Sequence, residues 1–294
     1  MQSFFDFIKE HPPVKRLQVN DLLLAEYQCP LDIHRFDIWS HHNYFIYVIS
    51  GQKKWLTRNQ EILVKGGDCL FVSKGAHTVF QFFDSQFCAI VLFVPDSFIR
   101  SVLLDNRIEI GNQTSTSQRG ALFTLGCKDE LAAYFRSFYT YLSTSEHPSP
   151  TLMELKFKEL IILSAVRGDC KKLNNYYASL CRSNSASLRE LMEDNFNYPM
   201  NLEEYARLCH RSLSVFKREF QLAFGTSPGK WLIQKRLEFA KYLLENTDKS
   251  VTETALDAGF VNHSHFSRVF RKKYGMPPIQ LTKSNADEPI VRRE

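Results

Sequence analysis

Apolar residues change their spacing along the chain, and the change divides it. Up to Pro95 they come in short β-rich runs interrupted by glycine. FIYVISGQKKWLT holds two such runs around Ser50–Gly51–Gln52, which predicts a hairpin turn. EILVKGGDCLFVSKGAHTVFQF continues with Gly-Gly and Lys-Gly turn signals, and FCAIVLFVP is a short apolar run closed by Pro95. Short strands at this spacing predict a small sandwich or barrel. Residues 100–128 fit neither period and contain a polar loop, NQTSTSQRG. Asp129 to Leu142 is predicted helical, and its opening acidic residues suit a helix N-terminus. The HPSP breaker at 147–150 leads into TLMELKFKELIILSAV, where Leu152, Leu155, Leu160 and Leu163 predict an apolar helical face.

Arg167 to Ser187 is polar and rich in Ser, Asn and Lys, so 167–187 reads as a linker. From Leu188 every segment has a helical period, with stops at Pro199, Gly225, Pro228, Asn246, Gly259, Gly275 and Pro277. The fold class predicted is α+β with two domains: a β-barrel with flanking helices over 1–166 and an all-α domain over 188–284. A tail, 285–294, follows.

The second half repeats itself. At an offset of 50, Phe216 falls on Phe266, Arg218 on Arg268, Phe220 on Phe270, Phe224 on Tyr274, Gly225 on Gly275 and Pro228 on Pro278. Upstream the offset is 49, with Ala206 on Ala255, so the second copy carries one extra residue near Gly259. Such duplication predicts two helix–turn–helix units joined by one long helix, Pro228 to Asn246. Phe216, Phe220 and Phe224 share one face, as do Phe266, Phe270 and Tyr274, and these are the expected core stripes. Ser214, Lys217, Arg218 and Gln221 repeat on another face of helix 212–225. His263, Ser264, Ser267, Arg268 and Arg271 do so on helix 263–275.

Composition narrows the reading. Among 294 residues, 37 Lys and Arg against 32 Asp and Glu give a net charge of only +5, but placement matters more than the sum. Between Tyr205 and Lys283 there are 14 Lys and Arg against 6 Asp and Glu. A solvated surface would account for one basic face; two copies on a repeated scaffold point to nucleic acid. Hydroxyls and long basic donors suit a helix against DNA, since Arg can bond a guanine edge in two places. Seven cysteines (29, 69, 88, 127, 170, 181 and 209) never form CxxC, and reduced thiols in a cytoplasmic protein are expected. No apolar run reaches the ~20 residues of a membrane span. MQSFFDFIKEHPPVK lacks the features of an export signal, so no membrane partner is expected.

With these residues in view, 188–283 resembles the DNA-binding domain of the AraC/XylS family of transcription regulators. ALDAGFVNHSHFSRVFRKKYGMPP and SLSVFKREFQLAFGTSPGKWLIQKRLEFAKYLL carry the likeness. The resemblance implies a sequence-specific regulator, an activator, that partners double-stranded DNA and RNA polymerase. It implies helices 212–225 and 263–275 in successive major-groove segments about one helical turn (~34 Å) apart. By position it gives base-facing roles to Ser214, Lys217, Arg218, His263, Ser264, Ser267 and Arg268. Arg211, Lys230, Arg271 and Lys272 would hold phosphates. Thr254, where the family usually has an apolar residue, and Pro277, in place of Ser or Thr, depart from the pattern.

HHNYFIYVISGQKKW and GGDCLFVSKGAHTVFQF resemble a cupin-like barrel, which in this family implies a small-molecule or protein effector. HPSPTLMELKFKELIIL is similar to the type III secretion activator subgroup, where 129–166 would pair subunits into a homodimer or meet a regulatory protein. A metal cupin would need spaced His ligands and a Glu. His41, His42 and His77 are present, but the pair is adjacent and no Glu follows before Glu61. No metal, no cofactor and no catalytic residue are therefore expected, which weighs against a cupin-type enzyme. A protein-interaction module with an accessory helical domain is the other alternative.

Overall fold

A computed structural model of the chain describes residues 1–29, 33–83, 86–108, 121–126, 129–143, 148–166, 170–182 and 188–282. The chain divides into two compact units, Met1–Ser187 and Leu188–Glu294. The polar loop at 112–120 and the 285–294 tail lie outside the described residues.

In the first unit two sheets face each other. One runs β1 (Gln2–Ser3), β4 (Arg35–Ser40), β9 (Gly75–Gln81), β6 (Gln52–Leu56), β7 (Glu61–Lys65). The other runs β11 (Leu122–Leu125), β8 (Cys69–Val72), β5 (Asn43–Ser50), β10 (Cys88–Val94), β3 (Leu22–Gln28), β2 (Lys15–Val19). No strand of one sheet pairs with the other among the described residues, so the cupin-like barrel is open. β10 shows why the layers stack as they do. Ala89, Val91 and Phe93 face the inter-sheet core with Ile38, Ile46, Trp55 and Val79. Ile90, Leu92 and Val94 face the other way, packing with Ile99, Phe135 and Phe157 on helices. A strand covered on both faces needs an unbroken apolar run, and CAIVLFV supplies one.

The structure corrects several expectations. Ser50–Gly51–Gln52 is not a hairpin: β5 and β6 belong to different sheets, and the chain crosses between them at Gly51. Gly51 has φ 75°, and a Cβ there would lie 2.8 Å from Phe87 Cα, so the corner requires glycine. Phe4–Glu10, inside the region read as strands, is a helix, α1, capped by Ser3 and burying Phe4, Phe5 and Ile8. The region without a clear period holds α2 (Asp96–Asp105) as well as β11.

Two more helices, α3 (Asp129–Ser143) and α4 (Pro150–Val166), pack on the outer face of the larger sheet. The face of α4 also differs from the leucine reading. Met153, Phe157, Leu160 and Ile161 are buried, whereas Leu152 and Leu155 are 38% and 55% exposed. The charged residues of α4 (Glu154, Lys156, Lys158 and Glu159) are scattered round the helix and do not mark one polar face, so leucine spacing alone could not select the buried side.

The span read as a linker contains α5 (Lys171–Arg182), whose Leu173, Tyr177 and Leu180 are buried at helical spacing. The Tyr176 hydroxyl donates to Asn43 Oδ1 at 2.7 Å, and Asn43 Nδ2 donates to Asp96 Oδ1 at 2.7 Å. Lys74 Nζ lies 2.7 Å from Asp96 Oδ2. This buried network joins α5 to β5 and α2, so the segment belongs to the first unit.

The second unit is helical: α6 (Leu188–Asn195), α7 (Leu202–Leu208), α8 (Leu213–Phe224), α9 (Pro228–Asn246), α10 (Val251–Asp257) and α11 (His263–Tyr274), then a short 3₁₀ turn, Pro278–Leu281. The repeat extends to individual hydrogen bonds. α7 and α10 both open with a capping box, Asn201 with Glu204 and Ser250 with Glu253. One position breaks the equivalence. In the first copy the Tyr205 hydroxyl donates to Asn195 O at 2.8 Å. Its counterpart Thr254 is fully buried, and Oγ1 has no hydrogen-bond partner among the described residues. Thr254→Val keeps the shape and removes the stranded hydroxyl. It is expected to stabilise the unit by ~1 kcal/mol, read as a raised urea midpoint.

Candidate nucleic-acid interface

α8 and α11 are set in place by the same devices. Each follows a shorter helix through a residue in the left-handed region, His210 (φ 53°) and Gly259 (φ 86°). After each, an N–H donates back into the shorter helix: Arg211 to Ala206 O and Phe260 to Ala255 O, both 2.9 Å. Ser212 caps α8 and Asn262 caps α11, the latter accepting from His265 N at 2.8 Å. The extra residue of the second copy therefore falls between Gly259 and Asn262. Gly225 and Gly275 close the two helices by donating to Gln221 O and Arg271 O.

The aromatic stripes are core, as expected. Phe216, Phe220, Phe266 and Phe270 are fully buried. Phe220 stacks on Phe224 at 4.2 Å, and Trp231 of α9 packs edge-on against both, at 5.7 and 5.0 Å. In the second copy Phe270 meets Phe266 at 5.4 Å and Tyr274 at 4.7 Å.

With the aromatics inside, the polar residues face outward. Ser214, Lys217 and Arg218 on α8 are exposed, as are His263, Ser264 and Arg268 on α11; Ser267 is half-buried. Arg271 and Lys272 extend the α11 surface, and Lys230 is exposed in the first turn of α9. Arg211 differs: Nε pairs with Glu219 Oε2 at 2.9 Å and Nη1 donates to Cys209 O at 2.8 Å, bracing the turn into α8.

Ion pairing sorts the cations of this unit. Lys235 is held by Glu193, Lys241 by Glu245, Lys249 by Asp257 and Lys273 by Glu238. Arg236 donates to Phe196 O and Tyr198 O at 2.7 and 2.6 Å. Lys217, Arg218, Lys230, Arg268, Arg271 and Lys272 make no ion pair among the described residues. Those six lie on α8, α11 and the start of α9. Unpaired surface cations are the groups that can replace counterions along a phosphate backbone.

Sequence reading missed Arg189 as a positioning residue. Nη2 donates to Ala223 O at 2.6 Å and the guanidinium covers the Phe224 ring at 4.4 Å, fastening the end of α8 to α6. Nothing in the local pattern marks it, because its partners lie 34 residues away.

In the first unit His77 is buried, and burial pushes its imidazole down to about 4, so it is neutral. Among the described residues no group of three His, Cys, Asp or Glu could hold a metal ion. No described helix is long and apolar enough to cross a membrane.

Two exposed polar faces on tandem helix–turn–helix units, in a chain that also holds a sheet-rich unit, fit the class of DNA-binding transcription regulators, and the named relatives are of that class. Known families agree in both halves. The ExsA N-terminal regulatory domain matches residues 43–176, and a helix-turn-helix domain matches 205–284. Thermoregulatory protein LcrF of Yersinia pestis is 26% identical over 272 residues, covering 90% of this chain and 97% of its own. The virulence regulon transcriptional activator VirF of Yersinia enterocolitica matches with the same identity and coverage. The HTH-type transcriptional regulator ExsA of Pseudomonas aeruginosa is 31% identical over 147 residues, 50% of this chain and 52% of ExsA. Both halves of the chain are thus similar to regulators of the AraC type, with ExsA, LcrF and VirF among the relatives.

Proposed function

We propose that α8 and α11 are the two reading helices, entering successive major-groove segments on one face of the DNA. Ser214, Lys217 and Arg218 meet base edges in one segment, and His263, Ser264, Ser267 and Arg268 do so in the next. Lys230, Arg271 and Lys272 hold phosphates, while Arg211, paired with Glu219, braces the turn into α8. The observation that carries this reading is the segregation of unpaired cations onto these helices. Binding to random duplex DNA should fall with salt at a log–log slope of about −0.9 per phosphate neutralised. Arg271→Ala and Lys272→Ala should each reduce that slope by about 1 and weaken all sequences alike. A slope unchanged in both variants would remove them from the interface.

The same reading makes the protein an activator that acts in the cytoplasm and meets RNA polymerase on DNA. The name borne by VirF supports activation. We further assign the first unit, within 1–166, to regulation by a small-molecule or protein effector, and 129–166 to pairing of subunits. Leu152 and Leu155, exposed on α4, support the pairing. Sedimentation of Leu155→Glu against the unaltered chain tests it, and an unchanged mass would remove this face from pairing.

A further inference from the structure

Lys53 sits where a lysine is least expected. It lies on β6 facing the inter-sheet core, 1% exposed, while its neighbour Lys54 faces out to Glu61 at 3.0 Å. Among the described residues no group reaches Lys53 Nζ with ordinary hydrogen-bond geometry, and its polar partner is the Cys29 thiol. Three rings enclose it, with Phe87, Phe36 and Tyr27 centroids at 4.6, 5.1 and 5.2 Å. The ionisable group facing the amine is the Cys29 thiol, which is half-buried and free. Cys29 follows Tyr27 by two residues, continuing the inward alternation of β3, and the Tyr27 hydroxyl also faces the thiol. Burial pushes the Lys53 ammonium below the usual lysine range. The neutral amine, with a nucleophilic lone pair, is thereby more available than on a surface lysine.

We propose that Cys29 and Lys53 form a peroxide-responsive site in which the amine captures the oxidised sulfur. The thiol and one peroxide give a sulfenic acid and one water. The Lys53 lone pair then attacks the sulfur, a Nζ–Sγ bond forms, and the sulfenic oxygen leaves as a second water with one of the amine protons. The protein loses two hydrogens overall, and the peroxide is reduced to water. The bond ties the end of β3 in one sheet to β6 in the other. A thiol reductant reverses it by attacking the sulfur and releasing the amine.

The test uses the full chain, hydrogen peroxide and peptide mass spectrometry. A linked peptide spanning residues 29 and 53, lighter by two hydrogens and abolished by dithiothreitol, is expected in the unaltered protein. It should be absent from Cys29→Ser and Lys53→Met. Lys53→Met should fold, because it keeps an unbranched chain of similar length among the three rings that enclose the amine. After peroxide and then reductant, Cys29 should alkylate in the unaltered protein but stay over-oxidised in Lys53→Met. No linked peptide in the unaltered protein, a bridge that retains oxygen, or equal recovery of Cys29 in both proteins would overturn the proposal. The first of these decides the matter even if a variant does not fold.

Discussion

Phe220→Ala is expected to unfold the first helix–turn–helix unit, at a cost of ~3–5 kcal/mol for a buried aromatic. The ring is fully buried, stacks on Phe224 at 4.2 Å and meets Trp231 at 5.7 Å and Phe216 at 5.8 Å. Truncation would leave a void bounded by three other rings, and α8 is held down largely by that cluster. Since whole domains are stable by roughly 5–15 kcal/mol, this is a large share. Leu222, two residues along and 81% exposed, supplies the contrast. Leu222→Ala should change stability by no more than ~0.5 kcal/mol. Urea denaturation followed by circular dichroism separates the two. A Phe220→Ala protein as stable as the parent would mean that the faces of α8 are reversed.

Lys217→Ala and Arg268→Ala should each weaken operator binding by ~1–3 kcal/mol per lost base contact while leaving the fold intact. Both side chains are exposed and neither makes an ion pair among the described residues, so their removal disturbs no internal bond. They stand on different reading helices, and distant sites add. The double variant should therefore lose roughly the sum of the two losses, ~2–6 kcal/mol. Selection of bound fragments from random DNA gives the operator, and fluorescence anisotropy on that fragment gives the affinities. Sequence preference should relax at separate positions in the two single variants. Equal affinity in parent and variants would remove both residues from base reading.

How much of this was legible in the sequence depended on how local each cause is. The helix–turn–helix pair was readable because its aromatic spacing, caps and turn residues act within about a dozen positions and occur twice. The burial of Phe216, Phe220, Phe266 and Phe270 followed directly. α5 was hidden because KKLNNYYASLCR shows only a narrow stripe of buried residues. Its docking depends on Asn43, 133 positions before Tyr176. Gly51 looked like a hairpin turn because the strands on either side are equally β-rich. Only the distant contact with Phe87 marks it as a corner. Arg211 read as an unencumbered cation because Glu219 reaches it only once the turn has formed.

The two left-handed turns have unequal surroundings, and the difference bears on operator architecture. At Gly259 a Cβ would lie 2.7 Å from Asn197 O and 3.0 Å from Arg236 Nε, so the second turn is seated against the segment that precedes α7. Arg236, from α9, clasps the same segment through Phe196 O and Tyr198 O. The two helices proposed to read DNA thus share one mount. A protein built as a fixed caliper tolerates substituted bases better than altered spacing. One base pair inserted between the two contacted segments moves the second by about 3.4 Å along the axis and turns it by roughly a tenth of a revolution, a misfit the mount has no joint to absorb.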